Sequence, residues 1–338
     1  MPLMEIAIDV GTTNTSIYVS GNGVVLREPT LVAYMTSNSA KRILAIGSSA
    51  TVMRGKMPEN TALVSPVING VIVDPSAASS MLRDFFKKII PDSYFPPRVK
   101  AIVAIPTGLT SEQRQMYEDV VYSASRRIKQ VVLIESVILS AIGIGLSVKN
   151  AAGGFIANIG GGSTEIAALS LSGIIAGCGL SLGGELMDTA ITDMIVAQHN
   201  VKLGRSLVQK LKEQLASLFE NDMSFRPASG MDLDAKTLSS VTIRASDLYA
   251  VLQPYYLRVG TAIESILNMC PPDAASEFNR KGIYIVGGAA KIPGLKEMLS
   301  KKLGLPVVVP QDPEYATING AGLLLGDKEL LKSIIAHK

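Results

Sequence analysis

Ile6-Ala7-Ile8-Asp9-Val10-Gly11-Thr12-Thr13-Asn14-Thr15-Ser16-Ile17-Tyr18-Val19 reads as an apolar strand, a short Gly/Thr turn and a second apolar strand. A small turn at Gly21-Asn22-Gly23 and a third strand over Val24–Arg27 follow it. The same plan returns at Gly154-Phe155-Ile156-Ala157-Asn158-Ile159-Gly160-Gly161-Gly162-Ser163-Thr164-Glu165-Ile166-Ala167, again with a turn, Ser172-Gly173, and a third strand. Two copies about 150 residues apart predict two similar lobes that face one cleft.

Outward from these hairpins, strand and helix patterns alternate. Helical spacing is expected over Pro75–Ile90, from Thr110 to about Arg127, after the strand Val131–Ile134 as far as Leu146, and over Glu185–His199. Val99–Ile105 and Ile283–Val286 read as buried strands. Leu207, Leu211, Leu215, Leu218 and Phe219 fall on one helical face. Ser246–Met269 reads as a longer helix that Pro254 should kink or end, because proline lacks the N–H and clashes with the preceding turn. Helices near Leu295–Leu303 and Ile318–Leu325 close the pattern, an α/β fold with largely parallel sheet.

Composition removes several function classes. With 338 residues, 47% hydrophobic and 18% charged, the chain has ample core and is neither disordered nor a coiled-coil rod. A formal net charge of +3 is too small to indicate nucleic-acid binding. Two cysteines, Cys178 and Cys270, make no disulfide framework, and two histidines exclude a Cys/His zinc cluster. Ile166–Gly184 carries no charge but is broken by Gly and Ser, so buried strands are expected there rather than a membrane span. The N-terminus shows no secretory signal pattern.

The turns carry the chemistry. A glycine-rich hairpin lets backbone N–H groups approach phosphate oxygens with no Cβ in the way, and Thr and Ser hydroxyls add donors. Asp9, at the end of the first strand, is placed to hold Mg²⁺ directly or through water. A third glycine turn, Val286-Gly287-Gly288-Ala289-Ala290, follows a strand and suits close approach to a nucleoside.

In order along the chain, AIDVGTTNTSIYVSGNGVVLREPTLVAY (7–34), Gly55-Lys56 through Pro66, Asn69-Gly70-Val71-Ile72, Met81-Leu82-Arg83, VAIPTGLTSEQRQ (103–115), LIESVILSAIGIGL (133–146), NIGGGSTEIAALSLSGII (158–175), IVGGAAKIPGL (285–295) and NGAGLLL (319–325) resemble the MreB-like bacterial actins. These belong to the superfamily of actin, sugar kinases and heat-shock chaperone ATPases. The resemblance spans about residues 4–330. It implies an actin-like two-lobed ATPase fold with a duplicated core and four subdomains. These are IA (1–31, 71–150 and 311–338), IB (32–70), IIA (151–182 and 243–310) and IIB (183–242). ATP and Mg²⁺ are implied in the cleft, with Thr12, Thr13 and Asn14 on phosphates from the first hairpin and Gly161, Gly162 and Ser163 from the second. Gln209 and Lys212 match the adenosine-contacting helix, Gln209 standing where a Glu is usual. Gly287, Gly288, Ala289 and Ala290 match the loop under ribose and adenine. Family members polymerise into paired protofilaments on the inner face of the bacterial cytoplasmic membrane and help direct cell shape, with other shape or cytoskeletal proteins as partners.

Two departures bear on catalysis. In the family's LIEEP segment the second glutamate orients the attacking water; here Leu133-Ile134-Glu135-Ser136-Val137 puts Ser136 there, and a hydroxyl is no carboxylate base. The second hairpin usually begins with an Mg²⁺-serving aspartate; here it is Asn158. Glu135, adjacent to Ser136, is expected to face elsewhere. The resemblance with these changes predicts nucleotide binding with weak hydrolysis, since losing such groups costs about 10²–10⁴ in rate.

Asp92-Ser93-Tyr94-Phe95-Pro96-Pro97 sits where some relatives insert an apolar membrane loop, and Tyr94-Phe95 beside Arg98 and Lys100 suits a shallow interfacial anchor. Gly179-Leu180-Ser181-Leu182-Gly183 fits a hydrolase nucleophile elbow in letters only: His199 follows too closely, and a strand turning into the Glu185–His199 helix is the expected reading. No P-loop is present. The rival classes are a kinase of the superfamily, for which the first lobe offers no aspartate base, and a non-polymerising nucleotide-binding relative.

Overall fold

The computed structural model describes residues 3–37, 40–54, 58, 60–92, 96–148, 153–171 and 173–336. Strands β1 (Leu3–Val10), β2 (Asn14–Val19) and β3 (Gly23–Pro29) open the chain. Then come β4 (Val32–Ser37), β5 (Ala40–Ile46), α1 (Ser48–Val52), β6 (Thr61–Val64), β7 (Val67–Ile68), β8 (Val71–Ile72) and α2 (Pro75–Ile89). The first lobe's sheet resumes with β9 (Arg98–Ile105), α3 (Ser111–Ala124), β10 (Ile128–Glu135) and α4 (Ser136–Gly143). The second lobe begins with β11 (Gly154–Ile159), β12 (Thr164–Ser170), β13 (Gly173–Leu180), α5 (Gly184–His199), β14 (Val201–Lys202) and α6 (Arg205–Leu215). It continues with β15 (Phe225–Asp232), β16 (Leu238–Arg244), α7 (Ala245–Asn268), α8 (Pro272–Lys281), β17 (Ile283–Val286), α9 (Leu295–Leu303) and β18 (Val307–Val308). Helices α10 (Ala316–Gly326) and α11 (Lys328–Ala336) end the described chain.

The duplication is topological. One five-stranded sheet runs β3-β2-β1-β9-β10 and the other β13-β12-β11-β17-β18. In each, the first three strands are antiparallel neighbours and the last two join in parallel. The expected largely parallel sheet is therefore corrected to two mixed sheets, because each lobe begins with a hairpin meander rather than a crossover.

Alternation along the strands sets which side chains meet. Ile6 and Ile8 join the core under α2 and α3, whereas Ala7 joins the layer that contains α4 and α10. In the second sheet Phe155 and Ala157 face the core around α7, and Ile156, Ala167 and Leu169 face that same α4/α10 layer. The two helices thus lie between the sheets. They touch backbone to backbone: a Cβ at Gly320 would collide with the Leu139 carbonyl, and one at Gly143 with that of Ala316. With a period of two, Asp9, Asn158 and Glu165 fall on the faces that look toward this central layer.

Several boundaries differ from the sequence expectation. Pro254 does not end its helix: α7 is continuous over 24 residues. Leu248, Leu252, Tyr256, Val259, Ile263 and Ile266 keep one buried stripe across the proline, and that packing outweighs one lost backbone bond of about 3 kcal/mol. Leu218 and Phe219 lie beyond the end of α6, and Phe219 is half exposed. The hydrolase-like pentapeptide joins β13 to α5, as its strand-to-helix reading required. Among the described residues no helix is long and apolar enough to cross a membrane. Tyr94, Phe95 and Ser172 lie outside the described residues.

Candidate functional site: two hairpins closing on one cleft

Each hairpin turn is closed by the same backbone bond. Gly11 N–H donates to the Asn14 carbonyl at 3.0 Å, and Gly160 N–H donates to that of Ser163 at 2.8 Å. The first turn is braced by Thr30, whose hydroxyl donates to the Gly11 carbonyl at 2.7 Å and whose N–H donates to Thr13 O at 2.9 Å. The second is braced by α5: Gly184 and Glu185 N–H groups donate to the carbonyls of Gly160 and Gly161 at 3.0 and 2.7 Å.

The two turns meet. A Cβ added at Gly161 would strike the Thr13 side chain, and one at Gly162 would strike Thr12. Glycine is required at both because the opposing hairpin occupies the space of a side chain. Thr12 is buried, and its hydroxyl accepts the Gly70 N–H at 3.0 Å. The sequence-predicted residues Thr12, Thr13, Gly161 and Gly162 are therefore brought together, with Asn14 and Ser163 closing their own turns.

Beneath the turns lie the carboxylates. Asp9 pairs in register with Ser16 on β2, and Ser16 with Arg27 on β3. Burial pushes the Asp9 carboxyl up to about 6, and the Arg27 guanidinium opposes the rise. In the second lobe the corresponding row is Asn158, Glu165 and Gly179. The acid that the first strand lacks stands directly opposite, on the second strand. Glu165 is buried and its Oε2 accepts three donors from the other lobe: Thr107 N–H at 3.0 Å, Thr107 Oγ1 at 3.3 Å and Ser136 Oγ at 2.5 Å. Burial raises its pKa to about 7, against the Ser136 and Thr107 hydrogen bonds and with help from the Asp9 charge.

Ser136 begins α4 and is buried. Its neighbour Glu135 forms an ion pair with Arg114 at 2.5 Å. Thr107 and Glu165 are the residues that motif reading missed as site residues. The signal was present: with the turn closed at Gly160–Ser163, the ladder pairs Ile159 with Thr164 and Asn158 with Glu165.

The nucleoside side of the cleft is more dispersed. Lys212 on α6 is engaged with Asp188 at 2.7 Å and donates to the Gly184 carbonyl at 2.7 Å, tying α6 to the start of α5. Gln209 donates to Glu213 at 2.9 Å. Gly287 has φ 89° and N–H bonded to Pro313 O at 2.9 Å; a Cβ there would meet the Ile159 carbonyl and Asn158 Oδ1, so the third turn abuts the second hairpin. Gly288 faces open space, the Ala289 carbonyl accepts the Tyr256 hydroxyl at 2.8 Å, and Ala290 is buried in the second lobe's core.

No cluster of three His, Cys, Asp or Glu groups suited to a metal occurs among the described residues. Mg²⁺ needs no such cage, since it is held by one or two carboxylates together with substrate phosphates and water. Asp9, half-buried at the end of β1 beside the first glycine turn, fits that donor set.

Duplicated mixed sheets, two helices between them and paired glycine hairpins at the interlobe cleft define the actin-like fold. The sequence profile described as MreB/Mbl protein matches residues 3–333, and the chain belongs to that family. It is 32% identical over 324 residues to the cell shape-determining protein MreB of Escherichia coli (strain K12), covering 95% of this chain and 93% of that one. To the cell shape-determining protein Mbl of Bacillus subtilis (strain 168) it is 29% identical, covering 97% of each. Among solved structures, MreB5 of Spiroplasma citri bound to AMPPNP superposes with a TM-score of 0.90 at 26% identity and 99% coverage of both chains. The ADP-bound form gives 0.88. A MamK double helical filament shares the fold at TM-score 0.79 and 16% identity, over 96% of this chain and 99% of that one.

Proposed function

We propose that this chain binds ATP with Mg²⁺ between its lobes and assembles with copies of itself into paired protofilaments. We place it at the inner face of the cell membrane, where it acts in cell shape or spatial organisation and hydrolyses ATP slowly. The observation that carries the nucleotide reading is the contact of Thr12 and Thr13 with Gly161 and Gly162, which sets the glycine turns of the two lobes against each other at one point. The likeness to an MreB5 solved with AMPPNP and with ADP supports it. Filament formation and a role in shape rest on membership of the MreB/Mbl family.

In this reading the hairpin amides and the Thr13 hydroxyl bind the phosphates. Asp9 holds the cation, which neutralises phosphate charge. The third turn and the Gln209/Lys212 helix frame the nucleoside. Ser136 and Asn158 offer no carboxylate at the family's water- and metal-serving positions, so turnover is slow. Those departures also favour a second reading, a relative that binds nucleotide without polymerising.

Titration with a fluorescent ATP analogue, with and without Mg²⁺, tests the site. Saturable binding that Mg²⁺ strengthens and Asp9→Asn weakens is expected; no binding in either condition contradicts it.

A further inference from the structure

Glu165 has no role in the reading above, yet it is the acidic group of the second hairpin and a point where the two lobes are hydrogen-bonded. Comparing the two hairpins locates it. The row Asp9–Ser16 in the first lobe corresponds to Asn158–Glu165 in the second, so acid and neutral polar group have exchanged strands. The carboxylate is displaced across one strand spacing, about 5 Å, and stays on the face that looks into the cleft.

The rest of the local chemistry is arranged around it. The Ser136 hydroxyl donates to Oε2, and so do the N–H and hydroxyl of Thr107, from the segment that follows β9. A glutamate at 136 would set a second carboxylate against this one, whereas serine supplies a donor. Three donors on one oxygen fix the rotamer of the carboxyl group and leave its other oxygen to accept elsewhere. Two residues separate Glu165 from Gly162, whose backbone meets Thr12 of the opposing hairpin.

We infer that Glu165 is the carboxylate that orients and deprotonates the attacking water in this chain, and that Ser136 is a positioning residue that holds it. The inference rests on the nucleotide reading of the cleft. The water oxygen forms a bond to the γ-phosphorus while the bond from that phosphorus to the β–γ bridging oxygen breaks, and its electron pair leaves with ADP. One water proton passes to Glu165 and then to solvent, and inorganic phosphate departs.

The test uses the full chain as wild type, Glu165→Gln, Ser136→Ala and Ser136→Thr. Glutamine keeps an oxygen for the Thr107 and Ser136 donors while removing the base. Single-turnover phosphate release, equilibrium affinity for a non-hydrolysable ATP analogue, and amide exchange at Thr107 without nucleotide are measured on each. Glu165→Gln should slow release by about 100-fold or more with affinity changed less than about threefold. Ser136→Ala should slow release by about tenfold and speed Thr107 exchange, and Ser136→Thr should restore both. Release at the wild-type rate from Glu165→Gln, or no release by wild type above background despite analogue binding, overturns the inference and leaves the nucleotide reading standing. Failure of wild type to bind the analogue overturns that reading, and this inference with it.

Discussion

The Ser136 hydroxyl donates to the Glu165 carboxylate at 2.5 Å, from the first turn of α4 in one lobe to β12 in the other. This bond joins the lobes at the base of the cleft, and it places the family's two departures, Ser136 and Asn158, next to the same acid.

Two carboxylates whose desolvation raises their pKa make stability without nucleotide depend on pH. Asp9 and Glu165 titrate near 6 and 7 in the folded chain, above their ordinary values of 3.8 and 4.5. Between about pH 4 and 7 the folded state keeps protons that the unfolded chain has released, so stability falls as pH rises through that window. A rise of this size is worth on the order of 3 kcal/mol per group. Thermal unfolding from pH 5 to 8 should show the decline, and an Asp9→Asn, Glu165→Gln double variant should flatten it.

Helices α4 and α10 leave no room for a methyl group. Gly320→Ala drives a Cβ into the Leu139 carbonyl and should cost about 3 kcal/mol in urea unfolding, at the upper end for overpacking. Gly326→Ala, in the same helix with nothing within 4 Å, should be neutral or slightly stabilising.

Lys212 pairs with the buried Asp188 and also bonds the Gly184 carbonyl beside the second hairpin. Lys212→Met keeps the stem but strands the carboxylate, at a cost of about 2–3 kcal/mol after allowance for partial exposure. Because the same side chain joins α6 to α5, ATP-analogue affinity should fall by about tenfold, equivalent to about 1.4 kcal/mol. Unchanged affinity would detach α6 from the nucleotide site.

Restoring both family carboxylates should raise turnover. Ser136→Glu with Asn158→Asp, placed in a Glu165→Gln background where no second carboxylate opposes the new one, is expected to release phosphate at least about tenfold faster than Glu165→Gln alone. Equal rates would mean the two departures do not limit hydrolysis.

The Tyr94-Phe95 segment carries the membrane expectation. Tyr94→Ser with Phe95→Ser should reduce co-sedimentation with anionic liposomes, and unchanged co-sedimentation counts against an anchoring role.

The legible part of the fold was what repeats or alternates. The hairpins at Ile6–Val19 and Gly154–Ala167, the helix from Pro75 and the strand to Ile105 were readable because apolar periodicity and turn residues agree there. Strands β15 and β16 were not. Their exposed faces carry Phe225, Met231 and Leu238 among Ser and Thr, so the polar alternation that marks a half-buried strand is blurred. Of the two outcomes expected at Pro254, a kink or an end, the end does not occur, because the buried stripe on both sides outweighs the local cost. In the site, Asp9 and the glycines announced themselves by position. Glu165 did not, since its importance arises from Thr107 and Ser136, 58 and 29 residues earlier in the chain.

The proposed function joins nucleotide binding between the lobes to assembly with further copies of the chain. Negative-stain electron microscopy of the purified chain with ATP, with ADP and without nucleotide, on bare grids and on anionic lipid, tests it most directly. Paired filaments are expected with ATP and few or none without nucleotide. No filaments in any state, from protein that binds the ATP analogue, would contradict it.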